Sequence, residues 1–376
     1  GDVYKRQAVC APVYPFRRKD SRMTRKQWAA LSLSLLGAGI GGIIAAVALV
    51  DPFEVYHKAT AFIPPITNGT QNYSNAGIAK NYEYDSVVIG SSMTENFTPS
   101  QLDRLFGGQF VKLPINGGSP FNHKQMMDLA FSSHDVRRVL YGMDIEALTY
   151  FYTSPKCEMP DYLYDNNLFN DVSYWFNKSV LSQYIPQCLS TLGQSDPDQR
   201  DTMYTWGNLY TYGRDAALAG VSISSSPVEQ MPVSTPAELS QQSLLNVEHN
   251  ILPYIQNHPD TQFIFFYPPY SLAQWYQFYA VGSLDYHLEQ KEALTAILLT
   301  YSNVEIYDFQ ARTEWILDLN LYIDAKHYGA DINAAMAEDI AAGNCRITDG
   351  GQVAQNDALL KELVGQLVHA GEWIFD

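Results

Sequence analysis

The sequence predicts an α/β protein built on a three-layer, doubly wound parallel sheet, with an aromatic-rich insertion and one N-terminal transmembrane helix. Three observations carry that expectation. Short apolar runs at 85–90 (DSVVIG), 110–114 (FVKLP), 138–144 (RVLYGMD), 262–267 (QFIFFY) and 304–309 (VEIYDF) alternate with stretches of helical periodicity or composition. That alternation is the pattern of a parallel sheet covered on both faces. An uncharged, apolar run of 24 residues, 27–50, matches the roughly 20 residues that a bilayer crossing needs. The connection from Asp144 to Pro236 is about ninety residues long, far beyond an ordinary crossover, and therefore reads as an insertion.

Taken in order, the N-terminal element is set by charge. Eight of the 24 basic residues and two of the 40 acidic ones precede residue 28. Basic residues stay on the cytoplasmic side, so 1–27 reads as a cytoplasmic leader, 28–50 as the anchor and the remainder as exported. The exported part holds 16 basic and 38 acidic residues, a net charge of −22. Ala46-Val47-Ala48 has the spacing of a signal-peptidase site. The anchor is nevertheless preferred to a cleaved signal, because the apolar run exceeds the usual signal core of about 7 to 15 residues. Asp2 to Gln7 reads like a translated sequencing-adapter end, and a start at Met23 leaves 1–22 outside the protein.

Residues 51–83 are expected to be a membrane-proximal linker, and 84–376 the α/β domain, with its insertion at about 150–235. Helices are expected at 99–105, 123–131, 236–256, 283–300, 331–342 and 356–369. Between Tyr150 and Asp215, 14 of 66 residues are Phe, Trp or Tyr, against 13% in the whole chain. Two readings are open: a lid with stacking surfaces for a sugar, or a small subdomain packed on its own rings, and burial is the commoner use of aromatics.

Composition closes off other classes. A net charge of −16 argues against nucleic acid as a partner, since phosphate binding needs a basic face. The four cysteines, Cys10, Cys157, Cys188 and Cys345, build no disulfide framework. Cys157 and Cys188 either bridge or remain thiols. No CxxC or HExxH occurs and the eight histidines are scattered, so no metal site is expected.

Chemistry concentrates at two places. The first strand runs into Gly90-Ser91-Ser92-Met93-Thr94, which puts adjacent hydroxyls at a carboxyl strand end, where sites of open α/β sheets lie. Such a turn is also an ordinary strand-to-helix connection. Far along the chain, Asp324-Ala325-Lys326-His327 sets a carboxylate and an imidazole three residues apart. One turn then lets the acid hold the imidazole while its other nitrogen faces a serine. Pro268-Pro269-Tyr270-Ser271, after the fourth strand, either shapes a pocket or ends the strand rigidly. His123 and His287 have no obvious partner.

Together the two motifs resemble the SGNH (GDSL-type) hydrolase superfamily over roughly 84–340. With the anchor, the chain is most similar to the membrane-anchored cell-envelope branch that includes the D-alanine transfer protein of the lipoteichoic-acid pathway. The resemblance implies Ser92 as nucleophile, in preference to Ser91, with His327 as base and Asp324 as its orienting acid. It places an oxyanion donor at the N–H of Gly118, in Asn116-Gly117-Gly118-Ser119. It departs at the third block, where the family's Gly-x-Asn-Asp is replaced by Gly142-Met143-Asp144. An ionised Asp144 donates no hydrogen bond, so Asn116 or a backbone N–H must take over, or activity falls.

The resemblance implies an extracytoplasmic serine esterase or O-acyltransferase, working without cofactor on an acylated cell-wall or membrane-linked glycopolymer. The alternative is a degenerate envelope binding or scaffold protein that keeps the fold alone. Oligomeric state is not readable from the sequence.

Overall fold

The computed structural model describes residues 23–165, 167–194, 199–223 and 236–374. The chain divides into two units, Gly1–Ala46 and Val47–Asp376. The first contains most of an apolar helix, Arg25–Val50, which is long and apolar enough to cross a membrane. A signal sequence near an N-terminus shares those properties.

The second unit is a mixed α/β structure on a six-stranded, mostly parallel sheet. The strands are β1 Ser86–Gly90, β2 Phe110–Pro114, β3 Arg138–Gly142, β4 Gln262–Tyr267, β5 Val304–Asp308 and β6 Arg346–Ile347, in the order β2-β1-β3-β4-β5-β6. Only β6 is antiparallel. All five residues of β1 and of β2 are buried, as are Phe263 to Tyr267 of β4, so successive side chains on opposite faces are all covered. Their Val, Ile, Leu and Phe content supplies the core. The order steps outward from β1 in both directions, which opens a crevice at the carboxyl ends of β1 and β3.

The five expected parallel strands are present, all of them within two residues of the expected bounds. β6 was not expected, and neither was the helix Leu272–Ala280. The expected helix 236–256 is two helices, Pro236–Asn250 and Leu252–Asn257, with Pro253 at the start of the second.

Residues 51–83 are not a linker. Asp51, Phe53, Glu54 and Val55 are buried, and the helix Gln71–Asn81 buries seven of its eleven residues. The reason is close backbone packing: at Gly77 an added Cβ would lie 2.2 Å from the Glu54 carbonyl oxygen. The insertion covers this segment. Tyr174 Oη donates to Asp51 Oδ1 at 2.9 Å, Tyr56 Oη to Asp171 Oδ2 at 2.8 Å, and Tyr204 Oη to Asn75 Oδ1 at 2.7 Å. Tyr174 and Tyr204 are fully buried, whereas Phe151 and Tyr210 are exposed, so packing accounts for only part of the aromatic content. Cys157, Cys188 and Cys345 are free thiols. Cys10 and 224–235 lie outside the described residues.

Candidate active site

β1 ends at Gly90, where a Cβ would sit 2.5 Å from the Thr94 methyl, so only glycine lets the chain turn so tightly under the next residues. Ser92–Thr94 then forms one 3₁₀ turn, closed by Thr94 N–H and Thr94 Oγ1, which both donate to the Ser91 carbonyl at 3.0 and 2.8 Å. The turn separates the two serines. Ser91 Oγ donates to Asp144 Oδ2 at 3.2 Å, whereas Ser92 Oγ lies 2.9 Å from His327 Nε2.

The histidine loop is built by short-range bonds. Tyr322 and Tyr328 form an antiparallel bridge across it. Inside it, Asp324 Oδ1 accepts the N–H groups of Lys326 and His327 at 2.8 and 2.7 Å. This Asx-type turn leaves Asp324 Oδ2 facing His327 Nδ1 at 2.8 Å. Partial burial would raise the Asp324 pKa, but the bond and charge of His327, with the two backbone N–H groups, hold it at about 2. The carboxylate therefore stays ionised beside the ring.

Two bonds fasten this loop to the serine turn. Tyr328 Oη and Asn333 Nδ2, the latter on the helix Ala330–Ala342, both donate to the Met93 carbonyl, at 3.2 and 2.9 Å. A third tie runs through Asp144. Lys326 Nζ sits 2.9 Å from Asp144 Oδ2 and 3.1 Å from Glu146 Oε2, and Tyr270 Oη also donates to Asp144. Burial would raise the Asp144 pKa, but Lys326 and Tyr270 hold it at about 2; the same two carboxylates push the Lys326 ammonium upward. Ser271 Oγ bonds the Ala325 carbonyl, so the turn after β4 supports the histidine loop from beneath.

The remaining expected residues are arranged differently. Gly118 does not offer a free N–H: it donates to the Ile115 carbonyl at 2.8 Å, closing a turn after β2. Asn116 is exposed and gives one amide hydrogen to Asn68 Oδ1 at 3.1 Å. The Asp144 carboxylate accepts bonds and donates none. His123 and His287 are buried helix residues, and His123 Nδ1 lies 2.8 Å from Tyr141 Oη. Among the described residues no cluster fit to hold a metal ion occurs.

Sequence reasoning missed two contributors. Trp206, from the insertion, donates its indole N–H to the Ser92 carbonyl at 3.2 Å and sets its ring edge-on to His327, centroids 5.8 Å apart. Asn96 Oδ1 holds it there by accepting the N–H groups of Trp206 and Gly207, each at 3.0 Å. No pattern distinguished Trp206 from the other aromatics of the insertion. The second is Lys326, which lay in plain sight inside the Asp-x-x-His motif.

A hydroxyl, an imidazole and an ionised carboxylate in hydrogen-bonded sequence can carry out nucleophilic acyl transfer. No family model matches the chain, and no curated protein matches it. Among solved structures, one provisionally described as a platelet activating factor from Streptococcus pneumonia is similar at 14% identity and a TM-score of 0.38, covering 72% of this chain and 91% of that one. A likeness at that level carries no argument about fold or activity.

Proposed function

We propose that the chain is an SGNH-type serine esterase or O-acyltransferase, anchored by a single membrane pass with its catalytic unit outside the cytoplasm. The observation that supports this is the continuous contact Ser92 Oγ to His327 Nε2 at 2.9 Å and His327 Nδ1 to Asp324 Oδ2 at 2.8 Å. Ser92 Oγ attacks an ester carbonyl while its proton passes to Nε2. Asp324 steadies the imidazolium, which then protonates the departing alcohol. The acyl group on Ser92 is taken by water in an esterase, or by a second hydroxyl in a transferase.

The oxyanion falls to the Ser92 N–H, which opens the 3₁₀ turn where leading N–H groups lack an intrahelical acceptor. The Asn116 amide keeps one further hydrogen beyond that given to Asn68. The basic leader argues for an extracytoplasmic unit, and proximity to a membrane favours an acylated, wall-bound or lipid-linked glycopolymer as substrate.

A second reading, a binding or scaffold protein without turnover, is favoured by one observation: Gly118 N–H and Asp144, two of the expected oxyanion positions, are committed elsewhere. Losing one donor costs about 3 to 4 kcal/mol of transition-state stabilisation. The two readings separate on labelling of the full chain in detergent with a fluorophosphonate probe. The expected result is stoichiometric labelling of the wild type, none in Ser92→Ala and a loss of at least about a hundredfold in His327→Ala. Folded wild-type protein that takes no label leaves the scaffold reading.

A further inference from the structure

The insertion turns an apolar surface outward beside the point where the chain leaves its apolar helix. Leu168, Phe169, Val172 and Phe176 are 59%, 92%, 50% and 42% exposed, while Asp171 and Tyr174 between them are buried. The inward residues are fully engaged. Asp171 accepts from Tyr56 Oη, and Tyr174 Oη bridges Asp51 Oδ1 at 2.9 Å and the Phe53 N–H at 3.4 Å. The segment is thus held by its inward bonds, and its large apolar side chains remain between 42% and 92% exposed. A cluster of this kind on a rigid support marks a binding surface.

We propose that Leu168, Phe169, Val172 and Phe176 dock into the lipid interface as a second membrane contact. Position selects lipid over protein as the occupant. A 26-residue helix is about 39 Å long, against a hydrocarbon thickness of about 30 Å, so Val50 falls in the headgroup layer. The residue following Val50 is Asp51, and the patch stands one tyrosine side chain away from it. Phe and Leu side chains at that depth enter the acyl boundary, and the exposed Lys178 next to them suits an anionic headgroup. The proposal rests on Arg25–Val50 crossing a bilayer and is independent of the esterase reading.

The test uses the full chain in phosphatidylcholine and phosphatidylglycerol vesicles doped with a phosphatidylcholine that carries a photoreactive diazirine on its acyl chain. Lipid adducts are expected on peptides from 168–176 as well as from 25–50. In the doubly substituted Phe169→Ser, Val172→Ser chain, the 168–176 adducts fall by at least about fivefold while those in 25–50 persist. Adducts confined to 25–50 overturn the proposal and leave the anchor standing. A diazirine-bearing leucine analogue at position 168 that captures a second protein chain instead of lipid overturns it in favour of a protein partner. Absence of adducts from both segments overturns the anchor, and the proposal with it.

Discussion

Asp144 occupies the place where the resembled family carries an asparagine, and its surroundings are organised around a negative charge. Tyr270, Ser91 and Lys326 all give it hydrogen bonds. Breaking a buried pair strands the surviving charge, so Lys326→Met and Asp144→Asn are each expected to cost about 3 to 5 kcal/mol of stability. The double variant should lose clearly less than the sum, as a double-mutant cycle by urea unfolding would read. The sign of the pH dependence follows from the depressed carboxyl. Asp144 contributes about 2 kcal/mol above its unfolded value near pH 4, and that contribution is lost as pH falls towards 2. Unfolding midpoints measured from pH 5 to 2 should therefore drop less steeply in Asp144→Asn than in the wild type. Residue type, spacing and the family resemblance singled out Ser92, Asp324 and His327, whose side chains lie within hydrogen-bond reach of one another in turn. The sequence concealed the role of Lys326, because a lysine in a loop reads as solvated until the two acids that face it are known.

At the scale of elements, the parts that were legible are those whose pattern is strong. Five apolar runs bounded by turns announced five strands. Gln71–Asn81 went unrecognised because its sequence, QNYSNAGIAKN, is polar and carries Asn, Ser and Gly, which propensity assigns to loops. Tertiary bonds override that tendency: Asn75 Nδ2 donates to the Pro114 carbonyl at 2.7 Å, and Asn81 Nδ2 to the Glu54 carbonyl at 2.6 Å. Gln71 extends the link to the serine turn, donating to Glu95 Oε1 at 2.5 Å. Gly77→Ala would drive a methyl into the Glu54 carbonyl, so thermal melting should show a loss of about 1 to 3 kcal/mol or more. Two residues are too few for β6 to show any periodicity. The insertion's contribution to the site is equally checkable: Trp206→Phe removes one hydrogen bond, worth about 1 kcal/mol, and should slow fluorophosphonate labelling about fivefold without abolishing it.

At the scale of the whole molecule, the described residues draw their stability from a continuous core rather than from covalent staples. Melting with and without reductant should coincide, since Cys157, Cys188 and Cys345 are all unbridged; a midpoint that moves would contradict the thiol state. Across the sheet, Lys291 is fully buried between Asp308 and Asp357 and joins the helix Leu284–Leu298, the end of β5 and the C-terminal helix Gly350–Ala370. Its two acids hold the ammonium charged, against the pull of burial. Lys291→Met is thus expected to destabilise the unit by about 3 to 5 kcal/mol, read as a lower urea midpoint.

The bond between Ser92 and His327 joins residues 235 positions apart. A chain that emerges N-terminus first presents its serine turn early and holds it idle, because the imidazole that would take its proton has not yet been made available. Until residue 327 has appeared and the Tyr322–Tyr328 bridge has closed, Ser92 is an alcohol like any other. Contacts of such long range also form slowly, since the loop must close before it is rewarded. On the proposed reading, reactivity is timed by biogenesis: a chain cut short of residue 328 holds no imidazole beside its serine.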